Sequence, residues 1–127
     1  MKQDNVVRVK SYAFALRIVK LYRWLCDEKK EFVLSKQVLR SGTSVGANVE
    51  EAIGGQSDRD FHAKMTIAYK EVRETHYWLR LLHDSNFIDE AAFSSIAADC
   101  EELLKLLGSI TKTMKSRIAN GKSGDKL

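Results

Sequence analysis

The side chains of this chain that could ligate a metal or carry protons are His62, His76 and His83, Cys26 and Cys100, and carboxylates set in helical runs. A helical hydrolytic zinc site needs HExxH, so that two imidazoles and a general base share one face. A bundle di-metal site needs Glu-x-x-His pairs. Here Glu71 has Glu74 three residues on and Glu74 has Tyr77, so neither pattern finds its ligands. His76 and His83 share a helix face, but seven residues separate them by about 10 Å along the axis, beyond a same-helix metal pair. Structural or surface roles are expected for all three histidines. Ser41, Thr43 and Ser44 have no evident His–Asp partners for nucleophilic catalysis. The stretch "GTSVGAN" lacks the lysine and the preceding strand of a phosphate loop. No enzyme activity, metal or cofactor is expected. Cys26 and Cys100 stand singly, outside any CxxC motif, and are expected to be reduced, space-filling thiols of a cytoplasmic protein.

The elements that would position these groups are helices. Of the 127 residues, 44% are hydrophobic, 30% are charged and none is proline, a composition suited to one folded domain built of long helices. No apolar run approaches the ~20 residues of a membrane span, and "MKQDNVVRVK" has no signal-peptide core. Phe14, Ile18, Leu21 and Leu25 recur at helical spacing and predict a first helix over about Val6 to Lys29. Ser35 reads as the N-cap of a second, with Leu34 and Leu39 as its hydrophobic staple and Gly54-Gly55 as its stop. A third starts near Ser57 or Asp58 and carries the seam Phe61, Met65, Ala68, Val72, Thr75, Leu79 and Leu82, ending at "DSNF". Asp89 caps a fourth, with Ile88 and Phe93 as a second staple. Its stripe runs Phe93, Ile96, Cys100, Leu103, Leu107, Ile110 and Met114 to a stop at Gly121. Short connections force antiparallel neighbours. The expected fold is all-α: an antiparallel up-down-up-down four-helix bundle over residues 1–121, with 122–127 a disordered tail.

"RSGTSVGANVEEAIGG", residues 40–55, is unusual for a core helix. Gly42 and Gly46, four apart, cost roughly 1 kcal/mol each against alanine, so close approach of a neighbouring helix is expected to offset them, with Gly46 as the expected contact point. Arg40, Ser44, Asn48 and Glu51 share a different face, and Glu71 and Glu74 on the third helix could complete a hydrogen-bonded charge network with Arg40 and Asn48. The alternative is a solvated polar face.

"QVLRSGTSVGANVEEAIGGQSDRDFHAKMTIAYKEVRETHYWLRLL", with "SYAFALRIVKLYRWL" upstream, closely resembles the signature of the four-helix-bundle proteins encoded in intervening sequences of bacterial 23S ribosomal RNA genes. The likeness covers roughly residues 10 to 85. It implies a homopentamer arranged as a barrel around a channel. Relatives include accessory proteins of diversity-generating retroelements, which look like basic pentamers that bind nucleic acid and a reverse transcriptase, so the resemblance implies RNA or DNA, and a reverse transcriptase, as partners to expect. Many members have no assigned activity, so the resemblance supports fold and assembly more than task.

The net charge of +4 is unevenly spread. Residues 1–40 hold ten Lys/Arg and four Asp/Glu, residues 41–104 five and twelve, and residues 105–127 six and one. In the expected topology the start of helix one meets the end of helix four, gathering Lys2, Arg8 and Lys10 beside Lys112, Lys115, Arg117 and Lys122. A ring of copies would amplify that field. Two functions follow. One is a nucleic-acid-binding assembly whose basic end (Arg8, Lys10, Lys112, Lys115, Arg117 and Lys122) holds RNA or DNA by phosphates without reading sequence. The other is a structural or protein–protein adaptor whose charges serve solubility and register. Tyr12, Tyr22 and Trp24 could stack on bases, although aromatics at helical spacing usually pack. Trp24, Tyr69, Tyr77 and Trp78 exceed what a four-helix core hides easily, so some are expected at subunit contacts.

Overall fold

A computed structural model describes residues 2–121, with side chains from residue 6 onward. Four helices account for nearly all of it: α1 (Lys2–Asp27), α2 (Leu34–Ile53), α3 (Asp58–Asp84) and α4 (Glu90–Ala119). Each packs on its neighbours in sequence, and α1 against α4 closes the ring. The α2–α3 seam is the most extensive and α1–α4 the least. Contacts run in opposite senses along every seam. Arg8 meets Glu50 while Ile18 faces Gly42; Arg40 meets Glu74 while Lys64 meets Glu51. The fold is therefore the expected antiparallel bundle. Among the described residues no helix is long and apolar enough to cross a membrane.

The seams read from the sequence form the core. Phe14, Ile18 and Leu25 of α1, Val38, Val45 and Val49 of α2, Met65, Val72 and Leu79 of α3, and Leu103, Leu107 and Ile110 of α4 are buried in one cluster. Burial of such side chains is the main driving force, at roughly 1.5–3 kcal/mol each. The α3 seam includes one polar member. Thr75 is buried, donates to the carbonyl of Glu71 at 2.7 Å and lies 2.9 Å from Ser41 Oγ on α2. Cys26 and Cys100 are both free thiols. Burial first, then the charges of Glu101 and Asp99, push the Cys100 thiol up to about 12, so it is inert at neutral pH.

The helix ends follow the expected chemistry with two exceptions. Ser57 accepts the Asp60 N–H and Asp89 accepts the Ala92 N–H, capping α3 and α4. Gly121, with φ 66°, takes the left-handed conformation that stops α4. α1 differs from its expected span, starting at Lys2 rather than Val6 and ending at Asp27 rather than Lys29. The turn after it contains Lys30 at φ 54°, which a helix cannot continue. The second exception is the start of α2, which Ser35 does not cap. The carboxylate of Glu31 accepts the N–H groups of Val33, Leu34 and Ser35 at 3.1, 2.9 and 2.7 Å. Ser35 lies within the first turn, buried, and donates its hydroxyl to the Glu31 carbonyl at 2.8 Å. A glutamate in the loop reaches three orphan donors where a serine reaches one, so the longer side chain takes the cap. The expected Leu34–Leu39 staple loses its register, and both leucines simply pack against the core. The expected tail, 122–127, lies outside the described residues.

Partial burial of the Glu31 carboxyl opposes its ionisation, but the three backbone donors and Ser35 outweigh that and hold it below the ordinary carboxylate value. Its contribution to stability is therefore complete above the unfolded value of about 4.3 and is lost as pH falls through the lower folded value. Glu31→Ala should lower stability by about 1–2 kcal/mol at neutral pH. The variant should also show a flatter stability profile between pH ~5 and ~3, as measured by urea melts along a pH series.

Candidate functional site

The polar face of α2 meets α3 through Arg40. Its guanidinium donates to Glu74 Oε2 at 2.5 Å and lies 3.5 Å from Glu71 Oε2, while Trp78 Nε1 donates to the same Glu74 oxygen at 3.0 Å. The Trp78 bond first, against partial burial, and then Arg40 hold the Glu74 carboxyl below its ordinary value; the bond to Glu74 raises the Arg40 guanidinium in turn. Glu71 Oε1 is buried and accepts no hydrogen bond among the described residues. The structure thus brings together Arg40, Glu71 and Glu74 as the spacing suggested, and adds Trp78. It does not bring in Asn48, which turns back along its own helix to donate to the Ser44 carbonyl at 2.9 Å and reach Ser44 Oγ at 3.2 Å. Glu51 does cross to α3, but meets Lys64 at 3.4 Å. An arginine holding two carboxylates across a helix seam fixes register.

The glycines of α2 face α1. A Cβ on Gly42 would stand 2.7 and 2.8 Å from Cγ1 and Cγ2 of Ile18, which is wholly buried. A Cβ on Gly46 would stand 3.4 Å from the Ser11 carbonyl oxygen, an ordinary contact. Gly42 is therefore the point of closest approach, and Gly46 is the looser of the two. The sequence pointed to Gly46 as the contact point, and the structure corrects this to Gly42, because the rank depends on which α1 side chain arrives opposite each.

The antiparallel ring gathers the described basic residues at one end, and brings acids with them. The end of α2 and the start of α3 lie there too, carrying Glu50 and Asp58. Arg8 pairs with Glu50 at 2.7 Å and Arg117 with Asp58 at 3.3 Å; Lys10 reaches Glu102 on α4 at 3.0 Å. Lys112 and Lys115 are exposed and enter no ion pair among the described residues. Lys122 lies outside the described residues, as does the side chain of Lys2. The acids at this end are invisible to a count by sequence segment, which assigned them to the middle of the chain.

The other groups considered for chemistry are dispersed. His62 lies against Thr66, His76 against Glu101 at 3.5 Å, and His83 between Asp84 and Glu90 with its ring stacked on Phe93 at 4.6 Å. Among the described residues no group of three His, Cys, Asp or Glu could hold a metal ion. An apolar recess of about 360 Å³ opens in the α1–α4 seam, lined by Leu21, Trp24, Ile88 and Ile96. Of the polar groups at its edge, Arg17 is engaged on Asp99 and Ser95 and Asp89 on the α4 cap, while Lys20 is exposed and enters no ion pair among the described residues.

Sequence reasoning missed an outward face of α1. Val9, Tyr12 and Leu16 are 68%, 65% and 51% exposed on the side away from the core, and the flanking Arg8 and Lys10 are tied to acids on α2 and α4. The signal was present, since these residues recur at three and four, but the core stripe of the same helix masked it. Of the aromatics expected at contacts, Trp24 and Tyr77 are exposed, while Tyr69 and Trp78 pack against the core.

Four long antiparallel helices, closed by cross-helix ion pairs and glycine contacts, define an all-α bundle protein. The chain belongs to the family of 23S rRNA-intervening sequence proteins, whose family model matches residues 3–109. It is also similar to a crystal structure of a protein of unknown function from the S23 ribosomal protein family of Bacteroides thetaiotaomicron VPI-5482. The two share 55% identity with a TM-score of 0.85 over 87% of this chain and 98% of that one. Among curated proteins none matches the chain.

The glycine geometry sets an expected asymmetry. Gly42→Ala should destabilise by about 1–3 kcal/mol through overpacking against Ile18, against a helix-propensity gain of roughly 1 kcal/mol. Gly46→Ala should be neutral or stabilising, and Gly46→Leu destabilising by a similar 1–3 kcal/mol or so. Thermal melts of the three variants check the order.

Proposed function

We propose that this protein is a non-catalytic, self-associating helical bundle that holds nucleic acid by its phosphates. The observation that carries this reading is the disposition of charge. Ion pairs engage most of the described carboxylates, including Glu50, Glu71, Glu74, Asp99 and Glu102. The chain's excess of cations is thus left facing solvent, with Lys112 and Lys115 at the basic end among them. Unpaired surface cations on a rigid scaffold suit a polyanion read by charge rather than sequence. The free thiols fit a reducing compartment, the cytoplasm.

Self-association is supported by the exposed Val9, Tyr12 and Leu16 row, an uncharged strip that a second copy would cover. Resemblance to the family supports a pentamer. Repetition of weak phosphate contacts around such a ring would multiply their effect. One observation favours the adaptor reading instead: Arg8, Lys10 and Arg117 already have acidic partners.

Sedimentation equilibrium should give an oligomer for the parent and a monomer for Val9→Glu/Leu16→Glu with helix content retained; a monomeric parent at micromolar concentration overturns the assembly. In titrations against mixed RNA and DNA, log K should fall linearly with log salt, and Lys112→Gln/Lys115→Gln should weaken binding to all sequences alike. A flat titration of the parent at ~0.15 M salt decides for the adaptor.

A further inference from the structure

The outward face of α3 carries a second row of cations, away from the basic end. Lys70, Arg73, Tyr77 and Arg80 follow one another at three, four and three residues, so they share one side of the helix over about 15 Å. All four are exposed. The carboxylates of the same helix nearest this row are engaged elsewhere. Glu71 and Glu74 lie toward α2 with Arg40, and Asp84 is beside His83. On the α4 flank Glu101 meets His76 and Glu90 meets His83. None of the ion pairs among the described residues includes Lys70, Arg73 or Arg80.

An aromatic ring sits inside this row. Tyr77 is 49% exposed, is met by Trp78 at 5.0 Å between centroids with the rings at 70°, and has the Arg80 guanidinium 5.8 Å from its centroid. Trp78 is itself held by Glu74, so the Arg40 network reaches the surface at Tyr77. Fixed cations spaced along a rigid helix recognise successive phosphates, and a half-open ring between them recognises the face of a base.

We propose that this face of α3 binds single-stranded nucleic acid, with Lys70, Arg73 and Arg80 on phosphates and Tyr77 stacked on an unpaired base. The proposal rests on the reading of the protein as a nucleic-acid holder, but places the contact on a different surface from the basic end. Duplex is the poorer ligand, because its bases offer only edges and Tyr77 offers only a ring face. A membrane surface fits less well, because the row lacks the broad apolar face with which an interfacial helix inserts.

The test uses the full-length protein and fluorescence anisotropy with a labelled oligouridylate of about 20 nucleotides and a duplex of equal length, across ~0.05 to ~0.2 M salt. Lys70→Gln/Arg73→Gln/Arg80→Gln should bind the single strand at least about tenfold more weakly, with the salt slope shallower by about 2, at roughly 0.7 per lost phosphate contact. Tyr77→Ala should lose roughly fivefold to a hundredfold at unchanged slope, while Tyr77→Phe keeps the parent affinity. Circular dichroism and melting of each variant establish that it is folded; Tyr77→Phe and the surface glutamines leave the core untouched. Parent-like binding by the triple variant and by Tyr77→Ala, with loss in Lys112→Gln/Lys115→Gln, overturns the α3 site and leaves the nucleic-acid reading standing. Preference for the duplex with a silent Tyr77→Ala also overturns the site. Failure of the parent to bind either probe overturns both.

Discussion

The contact between Gly42 and Ile18 sets the geometry from which much else in this bundle follows. With no Cβ in the way, α1 settles against α2 so closely that a single methyl group would have to displace a buried isoleucine. That approach fixes how far along α2 the first helix lies, and hence that Arg8 arrives at Glu50. The adjacent residues of α2 face the other way, where Ser41 meets Thr75 and Arg40 meets Glu71 and Glu74. One helix therefore carries two different kinds of seam, steric on one side and polar on the other. The small residues and charges in the middle of α2 are both accounted for by its position between α1 and α3.

Electrostatics then follows from register. Antiparallel packing places the end of α2 and the start of α3 beside the start of α1 and the end of α4, so acids and bases from distant parts of the sequence neutralise each other. The α1–α4 seam is the least extensive, and polar contacts span it: Arg17 with Asp99 and Ser95, and Lys10 with Glu102. Such exposed pairs contribute little stability each. Their larger effect is to decide which cations stay available. The charge that a partner would meet is the remainder after internal pairing, and it lies on outward helix faces as well as at the basic end.

The same logic separates the two faces of α1. Its inward stripe of Phe14, Ile18 and Leu25 forms the core, and its outward row of Val9, Tyr12 and Leu16 stays exposed with neighbouring charges already engaged. That outward row is the part of α1 that packing against α2 and α4 leaves uncovered.

Helix type, number and core faces were legible in the sequence, because burial imposes a periodicity that any helix must show: the stripes from Met65 to Leu82 and from Ile96 to Met114 are the observed core. Caps were legible where the side chain lies one residue before the helix, as with Ser57 and Asp89. The cap of α2 was not, since Glu31 acts across a turn whose shape depends on Lys30 adopting a positive φ. Arg40 with Glu71 and Glu74 could be read from composition and spacing, but Asn48 could not be excluded from that network until its amide was seen turned back to Ser44. The sequence by itself determined which residues are apolar on which side of each helix, and where small residues allow close approach. Only the tertiary structure decided that Gly42 is the tighter contact, that Arg8, Lys10 and Arg117 are answered by acids, and that among the described residues Lys70, Arg73 and Arg80 are not. The physical reason is that helical period is a local property of the chain, whereas the partner of a charge or a glycine is set by the register between helices.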